Sequence, residues 1–221
     1  MFCKGADISP KVLSHVSIER EVNGGESYEG TTIRSPHYLW RNIGPQRIQI
    51  PINCVKPLLG SRQLIPFGSI QENHCIVPVN HNKELLANPE NYLDFWRQLE
   101  DNYFWFPGYP QTLLGRLNRG ERLSRQLRLW TRYPNRQWVS YPRISGEMRA
   151  TRSGPKIFDS TVIYCPCGTV REALYLVGLL NSELFQQNFN RNHFQRFFDN
   201  APILNYDVAN FHYLELVDGL V

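Results

Sequence analysis

Long apolar runs are missing from this chain. No stretch approaches the roughly 18 residues a membrane-crossing helix needs. Met1 to Pro10 also lacks the apolar centre of an export signal. Cysteine is sparse: Cys3, Cys54, Cys75, Cys165 and Cys167 are odd in number and lack framework-like spacing. That argues against a disulfide-stapled domain, so a cytoplasmic protein with reduced thiols is expected. Phosphate-cradling glycine motifs are absent, both Gly-x-Gly-x-x-Gly and Gly-x-x-x-x-Gly-Lys. The spacing of Cys165-Pro166-Cys167 is not the two-residue knuckle of zinc sites, so it is read as two small apolar residues at a strand-to-helix junction. His15, His37, His74, His81, His193 and His212 are scattered without a helical ligand pair. No catalytic, cofactor-binding or metal-ligating residue is therefore expected. Lysine is scarce too, 5 against 19 arginines.

What the chain does have is arginine in one place. Residues 116 to 156 contain eleven basic residues and only two acidic ones, Glu121 and Glu147. That is a local charge of +9 in a chain of net charge +4, which leaves −5 for the remainder. Arginine is a planar fork of donors that matches phosphate and guanine edges. A segment this one-sided points to a polyanion. The candidate contact residues are Arg116, Arg119, Arg122, Arg125, Arg128 and Arg132. From Arg116 to Arg128 the spacing is three, and each such step falls about 60° short of a full helical turn. The arginines are therefore expected to spread around a helix rather than line one face. Tyr103, Trp105, Tyr109, Trp130, Tyr133, Trp138 and Tyr141 accompany the segment; most are expected in the core, with one or two free to stack on bases.

Aromatic content is too high for a disordered chain, with 12 Phe, 11 Tyr and 5 Trp. Residues 1–87 carry short apolar runs punctuated by Pro, Gly and Asn, which predicts strands. A helix is predicted from Asn88, with Pro89 in its first turn and Leu93, Trp96, Leu99 and Tyr103 on one face. Residues 110–130 predict a short helix or two turns broken at Gly120, and 137–165 predict strands. The clearest helix starts at Thr169, where Thr169 and Glu172 have capping-box spacing and an apolar stripe follows from Ala173 to Leu184. The expected fold is α+β: a twisted mixed β-sheet packed by two or three helices, forming one domain over 1–221 with a possible division into 1–108 and 109–221.

Read block by block, the chain resembles the C-terminal target-recognition region of N6-adenine DNA methyltransferases of the restriction-modification and phage-defence kind. The opening Lys4-Gly5-Ala6-Asp7-Ile8-Ser9-Pro10 is similar to the Gly-Ala-x-x-x-Pro start of that region. Val55-Lys56-Pro57-Leu58-Leu59-Gly60, Ile65-Pro66-Phe67 and Val77-Pro78-Val79 are similar to the blocks that follow. Gln111 to Asn118, with Arg122-Leu123-Ser124-Arg125-Gln126-Leu127, resembles its basic block. The most specific match is Ala173 to Ser182, a helix ending in Leu-Asn-Ser. Ala201 to Asp207, with Asn210 and His212, resembles the closing block, with Asn205 in place of a lysine or similar residue. Asp199-Asn200-Ala201-Pro202 lacks the second proline and the aromatic of the methyltransferase amine-holding motif, and is read as a loop.

The resemblance implies a non-catalytic DNA target-recognition domain or fragment that binds double-stranded DNA. The S-adenosylmethionine pocket would belong to a separate adenine methyltransferase domain or subunit, the expected protein partner. The alternatives are an interaction module that docks on such a methyltransferase, and an enzyme whose site has no recognisable motif.

Overall fold

The computed structural model describes residues 2–71, 73–105, 107–143 and 148–183. The segment Asn200 to Val221, His193, His212 and the Asp199–Pro202 loop lie outside the described residues. In chain order the elements begin with β1 (Cys3–Lys4), α1 (Lys11–Ser14), β2 (His15–Val22), β3 (Ser27–Thr32), β4 (Arg47–Pro51) and β5 (Val55–Leu59). They continue with β6 (Leu64–Ile65), β7 (Gly68–Ser69), β8 (Asn73–Ile76), α2 (Asp94–Asp101), α3 (Leu113–Leu117) and α4 (Arg122–Arg132). They close with β9 (Trp138–Pro142), β10 (Thr151–Ser153), β11 (Ile157–Phe158), β12 (Val162–Pro166) and α5 (Val170–Asn181).

The α+β expectation is met by a curled, mixed six-stranded sheet, ordered β11-β5-β8-β2-β3-β4. It is mixed because β11 pairs parallel to β5, Ile157 opposite Leu58, while the other pairings are antiparallel. Strand β4 shows how sequence makes it: Ile48 and Ile50 are buried while Arg47 and Gln49 are exposed, the period-two pattern of a half-covered sheet. A second sheet, antiparallel and four-stranded (β1-β12-β9-β10), is not part of the sequence expectation. Its first strand comes from the chain's beginning and its others from beyond residue 137, a pairing that local pattern does not reveal.

Three packed clusters hold these layers. The six-stranded sheet buries Ile50, Leu58 and Ile76 together with Val12 and Leu13 of α1, Trp96 and Leu99 of α2, Leu113 of α3 and Leu127 of α4. The face of the smaller sheet carrying Val139 and Tyr141 packs on Ala173, Leu176 and Leu180 of α5. Between the sheets, Trp138, Phe158 and Tyr164 stack with ring centroids 5.0–5.7 Å apart. Leu59, Leu64 and Leu129 join them. Gly5 is required at this seam, because a Cβ there would sit 1.9 Å from the Asp159 carbonyl oxygen. The tight approach lets Gly5 N–H donate to Val162 O (3.0 Å) and Ala6 N–H to Phe158 O (2.8 Å), locking the chain's first residues onto β11 and β12.

The helix expected from Asn88 starts later. Pro89–Asn91 form one 3-10 turn in which Asn88 makes no side-chain cap, and α2 begins at Asp94 with Leu93 as its N-cap residue. The helix expected at Thr169 starts as read: Thr169 Oγ1 accepts from Glu172 N–H at 3.0 Å, and the Glu172 carboxylate reaches back to Gly168 N–H. It closes at Asn181, and Leu184 of the expected stripe lies outside the described residues. Among the described residues no helix is long and apolar enough to cross a membrane.

Candidate nucleic-acid interface

The arginine segment folds as two helices with a hard break. Thr112 caps α3, its Oγ1 accepting from Gly115 N–H at 3.0 Å. Within the 3-10 turn over Arg119–Glu121, Gly120 (φ +64°) and Glu121 (φ +55°) both take left-handed backbone before the chain re-enters a helix at Arg122. Asn118 Oδ1 then accepts from Ser124 N–H at 2.9 Å, satisfying one of the free amides at the start of α4.

The helix α4 is longer than the sequence suggests, eleven residues, and three of its four arginines share one side. Leu123, Gln126 and Leu127 are buried, while Arg125, Arg128 and Arg132 are exposed. At about 100° per residue, those three arginines fall within about 60° of one another, opposite the buried side. Inside α4 the steps run three, three and then four: Arg122 to Arg128 drift as expected, and the final step of four brings Arg132 back between Arg125 and Arg128. Among the described residues Arg128 makes only a loose, exposed ion pair, with Glu121 (3.8 Å). At the end of the helix, Arg136 and Arg132 lie over Tyr133, with ring-centroid distances of 3.9 and 5.3 Å. Beside this face runs a groove of about 380 Å³ lined by Arg128, Thr131, Arg132, Lys83 and Glu84.

Arg122 and Arg119 belong to a second basic group at the opposite end of α4. Lys4 on β1 is held below the usual lysine range first by partial burial, then by the charges of Arg143, Arg122 and Arg119, with Asp7 offsetting some of this. These four cations therefore share one electrostatic neighbourhood. Sequence reading missed Lys4 because β1 reaches this place only through pairing with β12, Lys4 opposite Ile163. Arg125 sits near the smaller sheet as well: burial pushes the Tyr164 phenol up, and the Arg125 charge opposes the shift.

Arg116 is placed differently from the other candidates. Its side chain is only 15% exposed, with Nη2 3.4 Å from Asp7 Oδ2 and donating to Ser9 Oγ at 3.1 Å. The guanidinium lies 3.8 Å from the centroid of the Tyr109 ring, and Nη1 is buried without a hydrogen-bond partner. A cavity of about 190 Å³ opens beside it, lined also by Lys11, His37 and Trp40. Arg116 ties α3 to the Asp7–Ser9 loop and does not present a free fork to solvent. Of the aromatics, Trp138 and Tyr141 are core residues. Trp130 lies under Lys56 Nζ at 5.5 Å, and Trp105 is 47% exposed, with its indole N–H donating to Tyr109 O at 2.8 Å.

Two side-chain amides, neither singled out from the sequence as structural, hold the frame behind these surfaces. Gln126, fully buried on α4, donates to Phe158 O (2.9 Å) and accepts from Phe158 N–H (2.8 Å), as a neighbouring strand would. Asn181, at the end of α5, does the same to Ala150, at 2.8 Å in both directions. A polar residue between Leu123 and Leu127 on an apolar helix face was the available signal for Gln126.

Cys165 and Cys167 lie buried where β12 meets α5. Their mutual hydrogen bonding lowers the Cys165 thiol and raises Cys167. Among the described residues no three of His, Cys, Asp and Glu gather as a metal site. No known family profile matches the chain, and no curated protein matches it.

Proposed function

We propose that this chain is a non-catalytic target-recognition module that docks on double-stranded DNA through the exposed side of α4. The observation that carries the reading is the alignment of Arg125, Arg128 and Arg132 on one solvent-facing side of that helix, extended by Arg136 on Tyr133 and by Lys83 across the groove. Arginine forks on a rigid helix position phosphates, and each neutralised phosphate releases counterions. Arg119, Arg122, Arg143 and Lys4 form a second anchoring group. The block order quoted above supports an adenine methyltransferase as the protein that supplies S-adenosylmethionine and the reacting centre. In this reading the chain itself contributes binding and placement.

Titration of duplex DNA across salt concentrations tests the proposal. The logarithm of affinity should fall linearly with the logarithm of salt, with a slope of about −0.9 per phosphate contacted. Affinity that ignores salt removes the electrostatic reading. A pull-down with an adenine methyltransferase and no salt-sensitive DNA retention would instead favour a protein-docking module.

A further inference from the structure

The hairpin β6–β7 buries Leu64 but leaves the apolar side chains at and around its tip on the outside. Ile65 pairs with Gly68, leaving Pro66 and Phe67 as the turn. Phe67 has φ +64° and is 55% exposed, with Ile65 at 40% and Ile70 at 52%. Proline followed by a left-handed residue is the pattern of a type II turn, whose left-handed position favours glycine or asparagine. A phenylalanine there stays 55% exposed in this fold, yet carries the strain of that backbone. Such an outlier points to use outside the fold.

The tip is rigidly mounted. Phe67 N–H donates to Ala150 O (2.9 Å), Ile70 N–H to Gln63 O (2.9 Å), and Gln63 Nε2 to Gln71 O (2.9 Å). Ala150 is the residue clamped by Asn181, so α5 braces the hairpin through a single peptide unit. At the root, Leu64 is buried in the cluster that Leu129 of α4 also packs against, which links the hairpin to the arginine helix. The exposed cations on the segments that build the hairpin and its support are Arg62, just before β6, and Arg152 on β10, while the Asp159 carboxylate lies against Gly60.

We propose that Phe67 is a wedge that enters between adjacent base pairs of a duplex and kinks it, with Arg62 and Arg152 on the flanking phosphates. The proposal rests on the DNA reading above. Apolar side chains that unstack a base step do so from a rigid mount beside cationic side chains. Charge complementarity selects the occupant: the exposed guanidinium groups of Arg62 and Arg152, on the segments that carry the apolar tip, suit the phosphates of a duplex.

The test uses a mixed-sequence duplex rich in easily unstacked TA and CA steps, labelled at its ends for energy transfer and carrying 2-aminopurine centrally. The wild-type chain is expected to shorten the end-to-end distance and brighten 2-aminopurine. F67G, which suits the turn's backbone, should keep the salt slope but abolish both signals and bind about tenfold more weakly; F67L should retain most of the kink. F67G that binds and bends like wild type overturns the wedge while leaving the DNA reading intact. A wild-type chain that binds no duplex overturns both. F67G that bends DNA normally but loses a methyltransferase partner overturns the wedge and assigns the hairpin to that protein.

Discussion

The helices α3 and α4 are neighbours in sequence, both carry arginine, and they use it in opposite ways. On α3, Arg116 is drawn inward, ion-paired to Asp7, bonded to Ser9 and stacked on Tyr109. On α4, Arg125, Arg128 and Arg132 stand in solvent on one side. The turn at Gly120 and Glu121 makes the difference, because it re-phases the second helix so that its leucines, and not its arginines, meet the core. Charge counted along a sequence is therefore not surface charge; helix phase converts one into the other.

The sharpest way to break this contrast is to strip α4. The triple variant R125A/R128A/R132A should lower duplex affinity by about two to three orders of magnitude at 0.1 M salt, since each phosphate contact carries about 0.9 decade per decade of salt. The salt slope should shrink by between about 2 and 3. Thermal stability should stay nearly constant, because these side chains are exposed and weakly paired. Nitrocellulose-filter binding and a melting curve on the same sample check both halves. A large fall in melting temperature with intact binding would reverse the roles assigned to the two helices.

Arg116→Ala should show the opposite phenotype. It removes a partly buried ion pair, a hydrogen bond and a ring contact, and leaves Asp7 without that cation, at a cost of about 2 kcal/mol in urea unfolding. Duplex affinity of the folded protein should change less than threefold. A binding loss comparable with the triple variant would place Arg116 on the DNA side of the comparison.

How legible this contrast was depends on what sets each feature. Local chemistry was readable: the Thr169–Glu172 capping box starts α5, and Gly120 breaks the helix where glycine predicts it. The arginine face of α4 was within reach too, had the spacing been carried on to Arg132. Lys4 beside Arg143, Gln126 on Phe158 and Asn181 on Ala150 were not legible, because each depends on which distant strand arrives opposite. The Leu-Asn-Ser ending of α5 stood out as a pattern. Only the fold gives Asn181 a task, holding the peptide that braces Phe67.

The break itself offers a smaller effect. Gly120 has φ +64° and open space where a Cβ would project, so Gly120→Ala pays for backbone conformation alone. A loss of about 1 kcal/mol is expected, and Gly120→Asn should recover much of it, because asparagine tolerates left-handed backbone. Chemical denaturation of the pair measures this. If alanine is neutral, the turn is not fixed by backbone preference, and the re-phasing of α4 needs another cause.

Glu121 provides the finest adjustment. Its carboxylate lies 3.8 Å from Arg128, both side chains being well exposed, so the pair contributes little to stability. It does place one negative charge at the edge of the arginine face. Glu121→Gln should leave unfolding within about 0.5 kcal/mol of wild type. It should strengthen duplex binding a few-fold at low salt, an advantage that fades as salt screens the surface. Glutamine keeps the side-chain length, so a gain in affinity reports charge and not shape. If binding is indifferent to this change while the triple variant fails, the duplex lies along the Arg128–Arg132 end of the helix and away from its first turn.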